Sequence, residues 1–137
     1  MGGARSRHYP LVPVFLSGPN AGWTRDCLLD SGADDSLFPE TAALALGIDL
    51  TGAPTASARQ AGGAVISYRY AAVNLRISDG NDSCDWGAVV GFTNYPLRWP
   101  FLGQTGFLSF FDLTLFGTRR EIVLTPNVAF PGRHTIH

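Results

Sequence analysis

The residues best suited to do chemistry form one short run, Asp30-Ser31-Gly32, directly after an apolar segment that ends at Leu29. A carboxylate there loses hydration, so its charged form needs backbone N–H groups as partners. Gly32 lets the backbone turn tightly and point its own N–H at the carboxylate, and Ser31 can fix the loop through a hydrogen bond. One carboxylate cannot polarise a carbonyl and activate water at once, whereas two that share a proton can act as general base and general acid. The run predicts acid–base hydrolysis, provided that a second carboxylate lies beside Asp30.

Alone, an Asp-Ser-Gly run is equally typical of an ordinary Asx turn after a strand. Two further segments of the chain bear on whether the Asp-Ser-Gly run is a catalytic site. One is Gln60-Ala61-Gly62-Gly63, which has the composition of a hairpin tip, and the other is Phe101-Leu102-Gly103. By itself, the pair Gly62-Gly63 is typical of a simple hairpin turn, and it becomes a candidate lid only in combination with Asp30.

The order of these three segments resembles that of the retropepsin-like aspartic proteases, the single-domain relatives of pepsin. Leu28 to Ser36 is similar to the active-site signature of that family almost residue for residue, and it is the most specific of the three motifs. Gln60 to Val65 lies where the family has its glycine-rich flap, and Phe101-Leu102-Gly103 resembles the element before its C-terminal helix. The resemblance extends from about Val12 to Pro126.

The resemblance implies a role for each matching residue. Asp30 would be the catalytic aspartate, Ser31 would lock the two active-site loops across a dimer axis, and Gly32 would contact the carboxylate. The hairpin from Arg59 to Ser67 would close over a bound peptide. The residues expected to bind substrate are Ala33, Asp34, Asp35, Ala61, Gly62, Gly63 and Ala64. Several viral members have an arginine after the second glycine motif that pairs with the residue matching Asp34, but this chain has Gln104 there. The ion pair of Asp34 is therefore expected either to be missing or to use another arginine, such as Arg5, Arg7 or Arg98.

The implied function is an aspartic endopeptidase that needs neither a metal nor another cofactor. The chain has 137 residues and one Asp-Ser-Gly, so the two carboxylates must come from a homodimer. Two alternatives keep the same fold: a catalytically silent module that binds peptides, and a domain that only dimerises. The closing hairpin from Asp112 to Thr125 is more similar to cellular and bacterial members than to the shortest viral ones. A chain without lysine also suggests a GC-rich genome, and a bacterial source is expected.

The resemblance implies an all-β fold: a closed β-barrel with one or two short helices, forming half of a homodimeric pepsin-like architecture. The composition agrees, because 16 glycines and 9 prolines indicate many short strands joined by tight turns. We expect one protease domain over residues 8–126 and a C-terminal tail over 127–137 without regular structure. One helix should start near Pro39, be capped by Ser36 or Asp35, and end at Gly47.

The apolar face of that helix is predicted to consist of Leu44, Leu46 and Ile48. A second short helix is expected from about Thr105 to Phe111. The predicted strands run from His8 to Leu16, Trp23 to Leu29, Val65 to Ile77, Cys84 to Phe92, Asp112 to Phe116 and Glu121 to Thr125.

Composition argues against several other classes of function. The formal net charge is −1 without a basic stripe, which argues against nucleic-acid binding. No apolar run reaches the ~20 residues that span a bilayer, so no membrane partner is expected. Residues 1–10 lack the apolar stretch of a signal peptide, and two cysteines are too few for a disulfide framework, which together predict a cytoplasmic protein. The three histidines lie near the termini without the spacing of a metal site and are interpreted as surface residues.

Overall fold

The fold is mostly β, and it is described by a computed structural model for residues 3–5, 11–59, 62–117 and 121–137. These described residues form eleven strands, one α-helix and one 3₁₀ turn. In chain order they are β1 (Gly3–Arg5), β2 (Leu11–Ser17), β3 (Gly22–Leu29), β4 (Leu37–Pro39), α1 (Glu40–Leu46), β5 (Thr55–Arg59), β6 (Val65–Ser78), β7 (Asp82–Thr93), β8 (Phe101–Leu102), a 3₁₀ turn (Leu108–Phe110), β9 (Phe111–Phe116), β10 (Glu121–Pro126) and β11 (Arg133–Ile136).

The larger of two sheets closes on itself as a ring. Its strand order is β11-β7-β4-β8-β3-β2-β6-β5, and an additional pairing of β6 with β7 joins the two sides. Closure depends on the 14-residue strand β6, which is long enough to pair with β5 through its first half, with β2 through its second half, and with β7. A separate three-stranded sheet has the order β1-β10-β9.

The core lies inside the ring and follows the two-residue period of the strands. In β2 the buried residues are Val12, Val14 and Leu16, while the residues between them are exposed. In β6 the same alternation buries Val73, Leu75 and Ile77. A smaller apolar cluster of Leu37, Ile66 and Tyr68 lies apart from this core. All six predicted strands are present, although residues 8–10 of the first lie outside the described residues.

Helix α1 agrees with the prediction in position but not in its cap, and only in part in its buried face. Gly47 ends it in the left-handed conformation with φ 77°, as expected. Its N-cap, however, is Pro39, without a side-chain hydrogen bond, since Ser36 and Asp35 bond to other parts of the fold. The prediction for Leu44 was wrong: it is 81% exposed. Leu46 is buried as predicted, and the buried face is completed by Ala42 and Ala43, whose small side chains let the helix pack close to the sheet.

Two C-terminal features also differ from the expectation. The predicted helix between Thr105 and Phe111 is a single 3₁₀ turn over Leu108–Phe110. The tail over residues 127–137 contains β11, which pairs antiparallel with the start of β7. A four-residue strand has too little alternation to be detected in sequence, and it is the neighbouring edge of β7 that orders it.

Aromatic packing and a histidine contact hold this tail. The ring of Phe130 lies 5.7 Å from Trp86 and 5.5 Å from Phe111. His134 is exposed, as expected of a surface residue, and its Nε2 lies 2.7 Å from Asp82 Oδ2.

Candidate active site

Asp30 directly follows β3, at the point where this strand leaves the ring. Strand β8 runs parallel to the end of β3, and the Asp30 N–H donates to the carbonyl oxygen of Leu102 at 3.0 Å. The Gly32 N–H donates to Asp30 Oδ1 at 3.1 Å. The Gly32 N–H is thus the backbone donor that the Asp-Ser-Gly pattern predicts for this carboxylate. Asp30 is half-buried and lies at the edge of a cleft.

The loop from Asp30 to Ser36 is bound along its length to the segment that follows β8. The N–H of Gln104 donates to the carbonyl of Ala33 at 2.9 Å, and that of Thr105 donates to the carbonyl of Asp34 at 2.8 Å. The buried Ser36 hydroxyl donates to the Thr105 carbonyl at 3.1 Å and accepts from the Gly103 N–H at 3.1 Å. These bonds place the Asp30 loop and the Phe101-Leu102-Gly103 element side by side.

Gly103 is required for this approach of the two segments. A Cβ atom at this position would lie 2.7 Å from the carbonyl oxygen of Ala33 and still closer to that of Asp35. Cβ atoms in proteins essentially never lie so close to a backbone oxygen atom, so any side chain at this position would push the two segments apart. The third sequence motif therefore carries its glycine because the Asp30 loop passes directly against it.

Asp35 is bound by two tyrosines from β6. The hydroxyl groups of Tyr68 and Tyr70 each donate to Asp35 Oδ2 at 2.6 Å, which is the length of a charge-assisted bond. Burial, and then the bond to Asp35, raise the pKa of Tyr68. The bond to Asp35 is the larger cause that raises the pKa of Tyr70. Both hydroxyls therefore stay protonated at neutral pH.

The Asp30 loop and the β5–β6 hairpin enclose a cleft of about 680 Å³. Its lining residues are Asp30, Gly32, Ala33, Asp34, Asp35, Leu37, Ala56, Ser57, Ala58, Arg59, Tyr68, Tyr70 and Phe101. Of the residues predicted to bind substrate, the cleft brings together Ala33, Asp34 and Asp35. Gly62, Gly63 and Ala64 are exposed and do not line it, and Ala61 lies outside the described residues.

Sequence reasoning missed the contribution of the hairpin arms to this cleft. Tyr68 and Tyr70 are two residues apart on one strand, so both point to the same face of β6. That spacing was visible in the sequence, but nothing in it showed that the face meets Asp35. Arg59, predicted to start the flap, lines the cleft and donates from its guanidinium to the carbonyl of Gly63 at 3.3 Å.

Gln104, which replaces the arginine of viral relatives, binds the backbone of the Asp30 loop and not the side chain of Asp34. Its side-chain amide donates to the carbonyl oxygen of Ser31 at 3.0 Å. Among the described side chains, which do not include those of Arg5 and Arg7, no salt bridge reaches Asp34. The amide of Gln104 thus supports the exposed turn of the Asp30 loop by a neutral hydrogen bond.

Among the described residues, no three His, Cys, Asp or Glu side chains are grouped so that they could hold a metal ion. No helix in that part of the chain has the length and apolar character to cross a membrane. Cys27 and Cys84 are buried free thiols; burial raises the pKa of both, that of Cys84 to about 11, which makes them poor nucleophiles.

Comparison with known proteins agrees with this geometry. The sequence profile described as "Aspartyl protease" matches residues 19–85, just under half of the chain, and these include the whole Asp30 loop. No curated protein matches the sequence significantly. Among solved structures, the fold is similar to that of a retropepsin-like aspartic protease from Rickettsia conorii, with a TM-score of 0.55 and 20% identity. The match covers 90% of this chain and 97% of that one. The all-β retropepsin-like fold predicted from the sequence is confirmed.

Proposed function

Since this chain has the retropepsin-like fold and matches the aspartyl protease family over residues 19–85, we propose that it is an aspartic endopeptidase. The observation that carries the proposal is the position of the Asp30 carboxylate. It is half-buried at the edge of the cleft, accepts a hydrogen bond from the Gly32 N–H, and belongs to a loop bound to the segment 103–105. The Gly32 bond alone is that of an ordinary Asx turn, but such a turn does not need the long-range bonds to the segment 103–105.

The proposed chemistry uses two Asp30 carboxyl groups that share one proton, one from each chain of a homodimer. The ionised Asp30 takes a proton from water while the water oxygen attacks the peptide carbonyl carbon. The protonated Asp30 gives its proton to the carbonyl oxygen. The Asp30 that took the proton from water then gives it to the leaving nitrogen, while the other Asp30 regains a proton from one hydroxyl of the tetrahedral intermediate. The C–N bond breaks, a carboxylic acid and an amine are released, and the pair again holds one proton. Such a pair should give a bell-shaped dependence of rate on pH, on the acidic to neutral side.

Within one chain, Asp35 is poorly suited to be the second carboxylate of the pair. Its Oδ2 atom already accepts bonds from two tyrosines. The need for a second Asp30 favours the homodimer, and an exposed apolar row supports it. Leu113 and Leu115 on β9 are 40% and 62% exposed, at the edge of the smaller sheet.

The β5–β6 hairpin is proposed as the flap that closes over a bound peptide. Ala56 to Arg59 line the same cleft as the Asp30 loop, where a closing hairpin would contact a substrate. The free buried thiols of Cys27 and Cys84 support the proposed cytoplasmic location, since thiols stay reduced in that compartment.

The decisive test replaces Asp30 by asparagine, which keeps the size of the side chain and removes its charge. Cleavage of a mixed peptide library, mapped by mass spectrometry, should fall by at least ~10²-fold, as expected on loss of a general acid–base group. A pepstatin-type inhibitor should block the wild type. The matched control is Asp26→Asn, which changes an exposed aspartate on the same strand and should cleave normally.

Two results would overturn the proposal. One is cleavage by the Asp30→Asn protein at the wild-type rate. The other is peptide binding by the wild type without any cleavage, which would instead support the silent peptide-binding module.

A further inference from the structure

The strongest polar contact between the Asp30 loop and the β5–β6 hairpin involves a single carboxylate oxygen. Asp35 Oδ2 accepts from Tyr68 and Tyr70, 33 and 35 residues further along the chain, at 2.6 Å each. Hydrogen bonds to an ionised group are about twice as strong as those between neutral groups. Two such bonds on one atom join the loop to the hairpin.

The backbone of Asp35 is fixed on its other side. Asp35 forms an isolated parallel bridge with Thr105, and its carbonyl oxygen lies against Gly103. Three separate segments therefore meet at this residue: the Asp30 loop, the segment after β8, and β6. Asp30 itself is only five residues away along a loop whose carbonyl groups of Ala33 and Asp34 are already bonded.

The tyrosine rings have little freedom to leave this arrangement. Tyr68 is 6% exposed and packs in the small apolar cluster with Leu37 and Ile66. The ring of Tyr70 meets it edge to face, with centroids 5.5 Å apart and an interplanar angle of 83°. The packed rings therefore present both hydroxyls to Asp35 before any substrate enters.

We propose that Asp35 is a positioning residue that couples the β5–β6 hairpin to the catalytic loop through Tyr68 and Tyr70. It does not act as a direct ligand of the substrate. The register supports this role, because Tyr68 pairs with Ala56, a cleft-lining residue of β5. The bonds therefore hold the hairpin to the loop at this pair. The inference rests on the proposed peptidase function.

The test is a cycle of variants: Asp35→Asn, Tyr68→Phe/Tyr70→Phe, and all three changes together. If Asp35 acts through the tyrosines, Asp35→Asn alone should lower kcat by ~10-fold, because a small misplacement of catalytic groups is costly. In the double-phenylalanine background the same change should cost less than about twofold, since the coupling is already lost. KM should change less than kcat in every variant. Tyr95→Phe, at a 40% exposed tyrosine outside the cleft, is the control and should keep normal kinetics.

A direct substrate contact predicts a different pattern. Asp35→Asn would then raise KM by the same factor in both backgrounds, and that result would overturn the inference. If the double variant does not fold, Tyr70→Phe alone replaces it in the test. This change should perturb folding less, because Tyr70 is less buried than Tyr68. It should lower kcat by less than the double variant does, and normal kcat in this variant would contradict the coupling.

Hydrogen–deuterium exchange separates failure of this inference from failure of the proposed function. Without any peptidase activity in the wild type, the proposed function fails, but the coupling can still be measured. Exchange of the segments 30–37 and 66–72 should increase together in Asp35→Asn and in the double variant, but not in Tyr95→Phe. Exchange in Asp35→Asn that equals that of the wild type in both segments would overturn the coupling whether or not the protein cleaves peptides.

Discussion

Asp30 and Asp35 lie on the same short loop, yet their surroundings assign them different roles. Asp30 meets a single backbone N–H donor and faces the cleft, so its carboxylate is available to water and substrate. Asp35 is occupied by two tyrosine hydroxyls and a backbone bridge. The residue type alone could not distinguish them; their hydrogen-bond partners do.

At the residue scale, the first prediction concerns tyrosine ionisation. The bond to Asp35 raises the pKa of Tyr70, and burial together with that bond raises the pKa of Tyr68. Groups with a raised pKa stabilise the fold fully below their ordinary pKa of about 10, and that stabilisation disappears as pH rises through the folded-state value. In Asp35→Asn the negative charge is gone, so Tyr70 should ionise at a lower pH than in the wild type.

Absorbance at 295 nm, followed over an alkaline titration, measures this shift. Asp26→Asn serves as the control, because this exposed aspartate is not among the groups that shift either tyrosine. Superimposable curves for Asp35→Asn and the wild type would show that the carboxylate does not hold the two hydroxyls.

At the scale of elements, the important pairing is between the Asp30 loop and the segment after β8. The hydroxyl of Ser36 makes two of the hydrogen bonds between these segments. They join Ser36 to Gly103 and Thr105, which lie 67 and 69 positions further along the chain. Neither segment is a long helix or strand with its own stability. Each depends on the other for its shape, and the position of Asp30 depends on both.

Ser36→Ala should therefore destabilise the protein by roughly 1–3 kcal/mol, because it leaves the buried N–H of Gly103 without its partner. Urea unfolding followed by circular dichroism gives the change in free energy. Ser109→Ala, at an exposed serine, should differ from the wild type by less than ~0.5 kcal/mol. Equal stability of the Ser36 and Ser109 variants would mean that the hydroxyl bonds do not hold the loop.

At the scale of the whole molecule, the ring of strands carries one Asp-Ser-Gly and thus half of the proposed dyad. Charged residues make up 15% of the chain, where about 25% is typical, and the cores of protein interfaces are depleted in charge. Both features favour a second copy of the chain as the missing half.

Activity should therefore depend on protein concentration. Activity per chain should fall on dilution, at the same concentrations at which sedimentation shows dissociation into monomers, because a monomer holds only one Asp30. An excess of Asp30→Asn chains should also inhibit the wild type by forming mixed dimers. A strictly monomeric protein with full activity would exclude the shared dyad.

The sequence alone determined the features that depend on neighbouring residues. The alternation in β2 and β6, the left-handed end of α1 at Gly47, and the N–H of Gly32 that meets the Asp30 carboxylate all follow from local chemistry. The family resemblance also arose from short motifs, since each motif is a contiguous run. These features were predictable because few residues decide each of them.

Only the tertiary structure decided which distant residues meet. It showed that Gly103 lies against the Asp30 loop, that Tyr68 and Tyr70 bind Asp35, and that β11 completes the edge of β7. It also showed that the helix buries small alanines and leaves Leu44 exposed. The physical reason is the same in each case. A sequence pattern indicates the local conformation and the burial that a side chain favours. The residue that it contacts depends on closure of the ring, which brings together segments many tens of residues apart.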